Sequence, residues 1–260
     1  MSAPGDTVDV WWIDLGAERA GASAAFRLLS ESERDHARRL RVTDAWTTFV
    51  LTRATLRRLL SAYVSRPVDA IQLAFKPNGK PFLTGNDVHF NVSHSGNIAV
   101  VALSGRGPIG VDVEWHDRRV DLLGVADRFF AATEVQKLHD LPAHRLERGF
   151  YACWTRKEAY IKALGTGLSH DLASFSVTLA PDEPVTFCGA ERETWELAAL
   201  TVDAGYSAAL VAPRSATELT VRQFRWGRDA LDSVAAGWVE ELLPAQVRGR
   251  GRHSSPTFTA

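Results

Sequence analysis

The chain has 260 residues, 30 basic against 31 acidic side chains, 45% hydrophobic residues and two cysteines. That length supports one large domain or two smaller ones with a sizeable core, and the composition argues against wholesale disorder. A net charge of −1 gives no electrostatic case for wrapping nucleic acid or sitting on an anionic membrane, and no run approaches the roughly 20 apolar residues of a membrane span.

Val8 to Leu15 reads as a first strand, rich in β-formers and partly alternating. Ser30 or Ser32 caps a helix with acids in its first turn, running through Arg38-Arg39-Leu40. A longer helix spans Asp44 to about Val64 on a stripe of Phe49, Leu51, Leu56, Leu59 and Leu60, and Pro67 ends it. Strands follow at Ile71–Phe75, Val88–Val92 and Ile98–Leu103, separated by Gly and Asn turns. Gly105-Arg106-Gly107-Pro108 is the best internal boundary.

Beyond that boundary the order of elements broadly recurs. A strand covers Ile109–Trp115, helices Leu122–Phe130 and Thr133–Leu138, and a long helix Leu146–Leu164. Strands are expected at Phe175–Leu179, Thr194–Leu200, Ser207–Val211 and Leu219–Phe224, with a last helix over Asp229–Leu243 and a disordered tail from Gly249. The pattern predicts an α+β fold of two halves, 1–106 and 107–228, each with an antiparallel set of strands, and a terminal segment 229–260. The start of the chain lacks the basic and apolar stretches of a secretory signal. Cys153 and Cys188 have no zinc or redox spacing, so a reducing cytoplasm is expected.

Four segments carry chemistry. On the strand Ile109-Gly110-Val111-Asp112-Val113-Glu114, the two carboxylates share a face, which suits Mg²⁺ but equally suits a solvated strand surface. On the long helix Trp154, Glu158, Ile161 and Lys162 share one side. Glu158 there is a third metal carboxylate, a general base, or simply half of a surface Glu→Lys pair. Phe90-Asn91-Val92-Ser93-His94-Ser95-Gly96 ends a strand in a turn that offers donors to a phosphate. Asn78-Gly79-Lys80-Pro81 is a turn holding one of only five lysines, against 25 arginines. Arg38, Arg39, Arg41, Arg53, Arg57 and Arg58 decorate the N-terminal helices as an anion-binding wall or as solvated surface.

In this order, Gly79-Lys80-Pro81, Asn91-Val92-Ser93-His94-Ser95, Ile109 to Glu114, and Trp154-x-x-Lys157-Glu158-Ala159-x-x-Lys162-Ala163-x-Gly165-x-Gly167-Leu168 resemble the 4′-phosphopantetheinyl transferases. The likeness is to the long, single-chain, surfactin-type (Sfp-type) branch and covers about residues 8–224. It implies transfer of the phosphopantetheine arm of coenzyme A to a serine of an apo acyl or peptidyl carrier protein, releasing adenosine 3′,5′-bisphosphate. It also implies two similar α+β halves related by a pseudo-two-fold, with the site in the cleft between them. Asp112, Glu114 and Glu158 are then the ligands of Mg²⁺ (or Mn²⁺), Glu158 or a water it holds is the base, and Lys162 steadies the pyrophosphate with Lys157 nearby. Lys80, Pro81, Ser93 and His94 are expected coenzyme A contacts, with Asp112 beside them, and Thr48 and Arg53 face the adenosine-phosphate end.

One position departs from the family pattern: His36 stands where relatives carry a basic residue, and Glu33 is acidic where some are basic. The carrier is expected to dock between Asp117 and His144, on a monomer with no nucleic-acid or membrane partner. Fatty-acid, polyketide and peptide-synthetase carriers all fit. A binding module on the same fold is disfavoured by the full set of carboxylates and lysines, and a metal-dependent nuclease by the absence of a basic stripe.

Overall fold

The computed structural model of the chain describes residues 5–117, 119–180, 182–227 and 241–242. It is a mixed α+β architecture. A strand β1 (Thr7–Asp14) leads through short helical turns into helix α1 (Glu31–Arg39) and the 22-residue helix α2 (Thr43–Val64). Strands β2 (Leu73–Phe75), β3 (Pro81–Leu83), β4 (His89–Ser95), β5 (Ile98–Ser104) and β6 (Gly110–Trp115) follow. Then come helices α3 (Leu122–Phe129), α4 (Ala132–Asp140) and the 22-residue α5 (Ala143–Leu164). The chain continues with strands β7 (Trp195–Ala199), β8 (Tyr206–Pro213), β9 (Thr220–Trp226) and the short β10 (Glu241–Leu242).

The main sheet has the order β10-β9-β1-β5-β4, and a second, three-stranded sheet the order β6-β8-β7. β2 and β3 form a separate hairpin, and the turn expected at Asn78–Pro81 is its connection, with Pro81–Leu83 as its second strand. α2 buries Leu56, Leu59, Leu60 and Tyr63 against Trp11 and Ile13 of β1. α5 buries Phe150, Cys153, Ile161 and Ala163 in a second core with Ala209 and Val211 of β8. A third cluster, including Val10, Val100, Val111, Val113 and Leu210, packs the two sheets onto each other. Each sheet is therefore apolar on both faces, which explains the near-continuous hydrophobic runs in β1, β5 and β8.

Three expectations need correction. β9 was assigned to an antiparallel set in the second half, but it pairs parallel to β1 in the main sheet, with Phe224 beside Trp11. The reason lies in packing: Phe224 stacks on Trp11, with ring centroids 4.7 Å apart, and completes the first core. Phe175–Leu179 is no regular strand; a single bridge, Val177 to Phe187, is all the ladder it makes. Buried carbonyls of that segment serve side chains instead, those of Phe175 and Thr178 receiving Lys157 and Arg156. The predicted last helix and tail lie outside the described residues, except Glu241 and Leu242, which pair as a strand with Phe224 and Gln223. Both cysteines are free, and among the described residues no helix is long and apolar enough to cross a membrane.

Candidate active site

The site lies where β4, the edge of the main sheet, runs beside β6, the edge of the second. Side chains stitch these two strands together. Asn91, Ser93 and Ser95 alternate onto one face of β4. The Asn91 carbonyl oxygen accepts from the Val111 backbone N–H at 2.8 Å. Ser93 Oγ donates to Asp112 Oδ1 at 2.8 Å, and Ser95 Oγ donates to Glu114 Oε2 at 2.7 Å while accepting from the Trp115 N–H at 3.1 Å. An Asn-x-Ser-x-Ser pattern on an edge strand is thus a row of donors and acceptors for the neighbouring sheet.

The same face of β6 looks at α5. Gly110 allows it: a Cβ there would sit 1.9 Å from the Ala159 carbonyl oxygen, so any other residue would push strand and helix apart. Further along that face, Asp112 Oδ1 accepts from Lys162 Nζ at 2.6 Å, and Lys162 Nζ also lies 2.9 Å from Ser93 Oγ. His116 continues the row, stacked on Tyr151 of α5 at 4.6 Å. A period of two on β6 meets a period of three to four on α5, and the polar residues of both fall in one seam.

Electrostatics confirm that the three carboxylates crowd one another. Glu158 is pushed up to about 7, first by burial, then by the charges of Asp112 and Glu114, with Lys162 opposing. Glu114 is raised by burial and by Asp112, and its hydrogen bonds from Ser95 and Trp154 pull the other way. Asp112, 2% exposed, is raised by burial despite Lys162. Opposing the carboxylates is the Lys162 ammonium, with Lys80 behind it. Lys80 is lowered to about 8 by burial, Lys76 and Lys162; His94, exposed at the end of β4, is lowered by burial and Lys162.

Among the described residues no group of three His, Cys, Asp or Glu side chains is arranged as a ready metal cage. The donor chemistry nevertheless fits a hard divalent ion. Asp112 Oδ2 and Glu158 Oε1 are buried acceptors with no hydrogen-bond partner, which is costly unless a cation or water satisfies them.

The structure thus gathers Ser93, Asp112, Glu114, Glu158 and Lys162, with His94 at their edge and Lys80 behind Lys162. Pro81 is half-buried at the start of β3, directly after Lys80. Lys157 is corrected: it is fully buried in the second core, away from the seam. Its ammonium pairs with Glu134 Oε2 at 2.7 Å and donates to the carbonyls of Leu172 and Phe175 at 2.8 and 2.6 Å. The helical period explains this, because Lys157 shares the stripe of Phe150, Cys153, Tyr160 and Ile161. Arg53 and half-buried Thr48 lie on α2. Arg53 sits 3.6 Å from Glu33 and over the rings of Phe49 and Phe75, and Phe75 directly precedes Lys76. His36 lies against Phe49, with ring centroids 4.7 Å apart. Asn91 and Ser95 carry no role in the sequence reading, yet both stitch β4 to β6, and the alternation of β4 is the signal that places them there.

Known proteins match the chain over nearly all of this architecture. A model of the 4′-phosphopantetheinyl transferase superfamily matches residues 108–211, and one of the 4′-phosphopantetheinyl transferase N-terminal region matches residues 17–105. The 4′-phosphopantetheinyl transferase HetI of Nostoc sp. is 31% identical over 202 residues, 76% of this chain and 84% of its own length. The 4′-phosphopantetheinyl transferase ffp of Bacillus subtilis is 34% identical, covering 72% of this chain and 83% of its own. Sfp of Bacillus subtilis strain 168 is 31% identical over 71% and 82% of the two chains.

Proposed function

Since the chain belongs to the 4′-phosphopantetheinyl transferase superfamily, in its Sfp-type branch, we propose that the β4–β6–α5 seam moves the phosphopantetheine arm of coenzyme A onto a carrier-protein serine. The observation that carries this reading is the network of Lys162, Asp112 and Ser93, set beside a Glu158 held near neutrality.

In the reaction the serine oxygen bonds to the β-phosphorus of coenzyme A. The phosphoanhydride P–O bond to the nucleotide breaks, and adenosine 3′,5′-bisphosphate leaves. The serine proton goes to the Glu158 carboxylate. A carboxylate poised at about 7 is a far better base at neutral pH than an ordinary glutamate. The Lys162 ammonium, already fixed by Asp112 and Ser93, turns toward the pyrophosphate and offsets charge building on its bridging oxygen. A divalent ion held by Asp112, Glu114 and Glu158 would withdraw further charge from the phosphoryl oxygens. In this reading His94 contacts a nucleotide phosphate, and Arg53, which lies over the Phe75 ring, contacts the nucleotide end with Thr48. A groove of about 830 Å³ that Phe75 shares with Arg57 gives that end room.

The carrier approaches from the α3–α4 side, where Trp115, Val120 and Phe129 are exposed and Arg128 lies over the Phe129 ring. Acidic carrier bundles suit that mixture of apolar and basic groups. The test is direct: purified protein, Mg²⁺, coenzyme A and an apo carrier, followed by intact mass. A gain of one phosphopantetheine arm is expected. No gain across apo carriers of fatty-acid, polyketide and peptide-synthetase type, with folded protein, would sink the reading.

A further inference from the structure

The turn Lys76–Lys80 of the first half sits on the C-terminal end of α5 in the second. Such an end leaves backbone carbonyls without intrahelical donors and carries a partial negative charge. Part of this end is served internally, where Ile161 O accepts from the N–H groups of Gly165 and Thr166. The rest is served from across the cleft. The Lys162 carbonyl accepts from Lys80 Nζ, and the Gly165 carbonyl accepts from the Asn78 amide. Lys76 Nζ lies 3.9 Å from where a Gly165 side chain would begin.

Lys80 does more than cap. Its ammonium also donates to the Ile109 carbonyl at 2.8 Å, immediately before the Gly110 that lets β6 approach α5. One half-buried cation therefore ties the end of the helix that carries Glu158 and Lys162 to the start of the strand that carries Asp112 and Glu114. The turn that delivers it is itself fixed: Lys76 N–H donates to the Lys80 carbonyl at 2.9 Å, Gly79 adopts φ 83°, and Asn78 Oδ1 accepts from the Lys80 N–H at 3.3 Å.

We propose that Lys80 is a positioning residue: with Asn78 it caps α5 from the opposite half of the molecule and so sets where Lys162 presents its ammonium to the reacting phosphate. Its work is on the backbone of Lys162 and Ile109, not on coenzyme A. This rests on the transferase reading above and assigns that site its cross-cleft support.

The experiment compares wild type with Lys80→Met, Lys80→Arg and Asn78→Ala. It reads kcat and KM in the carrier assay, coenzyme A affinity by calorimetry, and Tm. Lys80→Met is expected to lower kcat about 10-fold or more, because small misplacements of catalytic groups are that costly, with the coenzyme A Kd within about twofold of wild type. Lys80→Arg recovers most of kcat, since a guanidinium also reaches two carbonyls. Asn78→Ala moves kcat the same way, less far, and tests the cap even where Lys80→Met does not fold. A raised Kd with kcat retained makes Lys80 a direct coenzyme A contact and overturns the proposal. A lowered Tm with kcat and Kd unchanged, in either Lys80→Met or Asn78→Ala, reduces the turn to scaffold and overturns it too. Absence of transfer by wild type itself strikes the transferase reading, and this inference falls with it.

Discussion

The two long helices, α2 and α5, share a framework and differ in what they face. Each spans 22 residues, and each holds a buried cation at the same point, Arg57 in a helix starting at Thr43 and Lys157 in one starting at Ala143. Each cation pairs with a glutamate in the first turn of the preceding helix: Arg57 with Glu33 of α1 at 3.2 Å, Lys157 with Glu134 of α4 at 2.7 Å. Both glutamates also accept from the backbone N–H that opens their own helix, Ser30 for Glu33 and Ala131 for Glu134. Each cation then donates to two carbonyls of the segment beyond its helix, Val68 and Ile71 for Arg57, Leu172 and Phe175 for Lys157. The framework is a structural clamp used twice. The faces differ: α2 meets Trp11 and Ile13 of β1, whereas α5 meets Asp112 and Glu114 of β6. Charged side chains gather where α5 meets β6, whereas α2 meets β1 through apolar ones.

That comparison is most sharply tested at the residue after each clamp. Glu158→Gln is expected to lower transferase kcat about 1,000-fold, by removing the proton acceptor. Arg58→Gln, at the matching point of α2, is expected to change kcat less than about twofold, since single contacts outside a site rarely exceed that. Equal losses would break the contrast.

The clamps themselves are expected to be equivalent in stability. Arg57→Met and Lys157→Met each strip a buried glutamate of its nearest cation and are expected to cost on the order of 3 kcal/mol in urea unfolding, with Arg53, 3.6 Å from Glu33, able to offset part of the first. Lys157→Met combined with Glu134→Leu is expected to regain most of that loss, because removing both charges also removes their burial penalty. If either single variant is neutral, the shared framework is not a shared energetic device.

A smaller effect falls on the stitch between the sheets. Asn91→Ala strips the buried Val111 N–H of its acceptor, at a cost of about 1–2 kcal/mol, while Asn91→Asp retains the acceptor. Unfolding curves of the pair separate the hydrogen bond from side-chain volume.

The smallest effect is in pH dependence. Glu158 rises in the fold from 4.5 to about 7, so the folded state keeps its proton where the unfolded chain has lost it. Stability from this group is fully present below the unfolded value and falls as pH rises through about 7. Glu158→Gln, which cannot ionise, is expected to gain in Tm over wild type between pH 5 and 8 without Mg²⁺, and to match it near pH 4. A Tm difference independent of pH would show that Glu158 titrates alike in the folded and unfolded chain.

Much of this was legible in the chain. The apolar stripes of α2 and α5, the Ser30 cap of α1 and the Gly110-to-Glu114 strand are local patterns, and local periodicity determines which side chains share a face. The same periodicity places Glu158 with Lys162, and it also places Lys157 on the apolar stripe; the motif drew attention to the lysine and away from its neighbours. What could not be read was every contact between elements far apart along the chain. Asp112 meets Ser93 and Lys162, Lys80 reaches Lys162 and Ile109, and β9 lies parallel to β1. These contacts depend on how two sheets pack and where an edge strand finds its donors, and no spacing along the chain encodes them.

The near-neutral charge balance therefore described the protein without locating its chemistry. The sequence alone determined the long helices, most of the inner strands, the family and the residue types gathered in the seam. The tertiary structure decided what each of the five lysines can reach: Lys157 is buried in a core clamp, Lys80 is held on the carbonyls of Ile109 and Lys162, and Lys162 on Asp112. A lysine's role follows from the acceptors within reach of its ammonium, and those are supplied by distant parts of the chain.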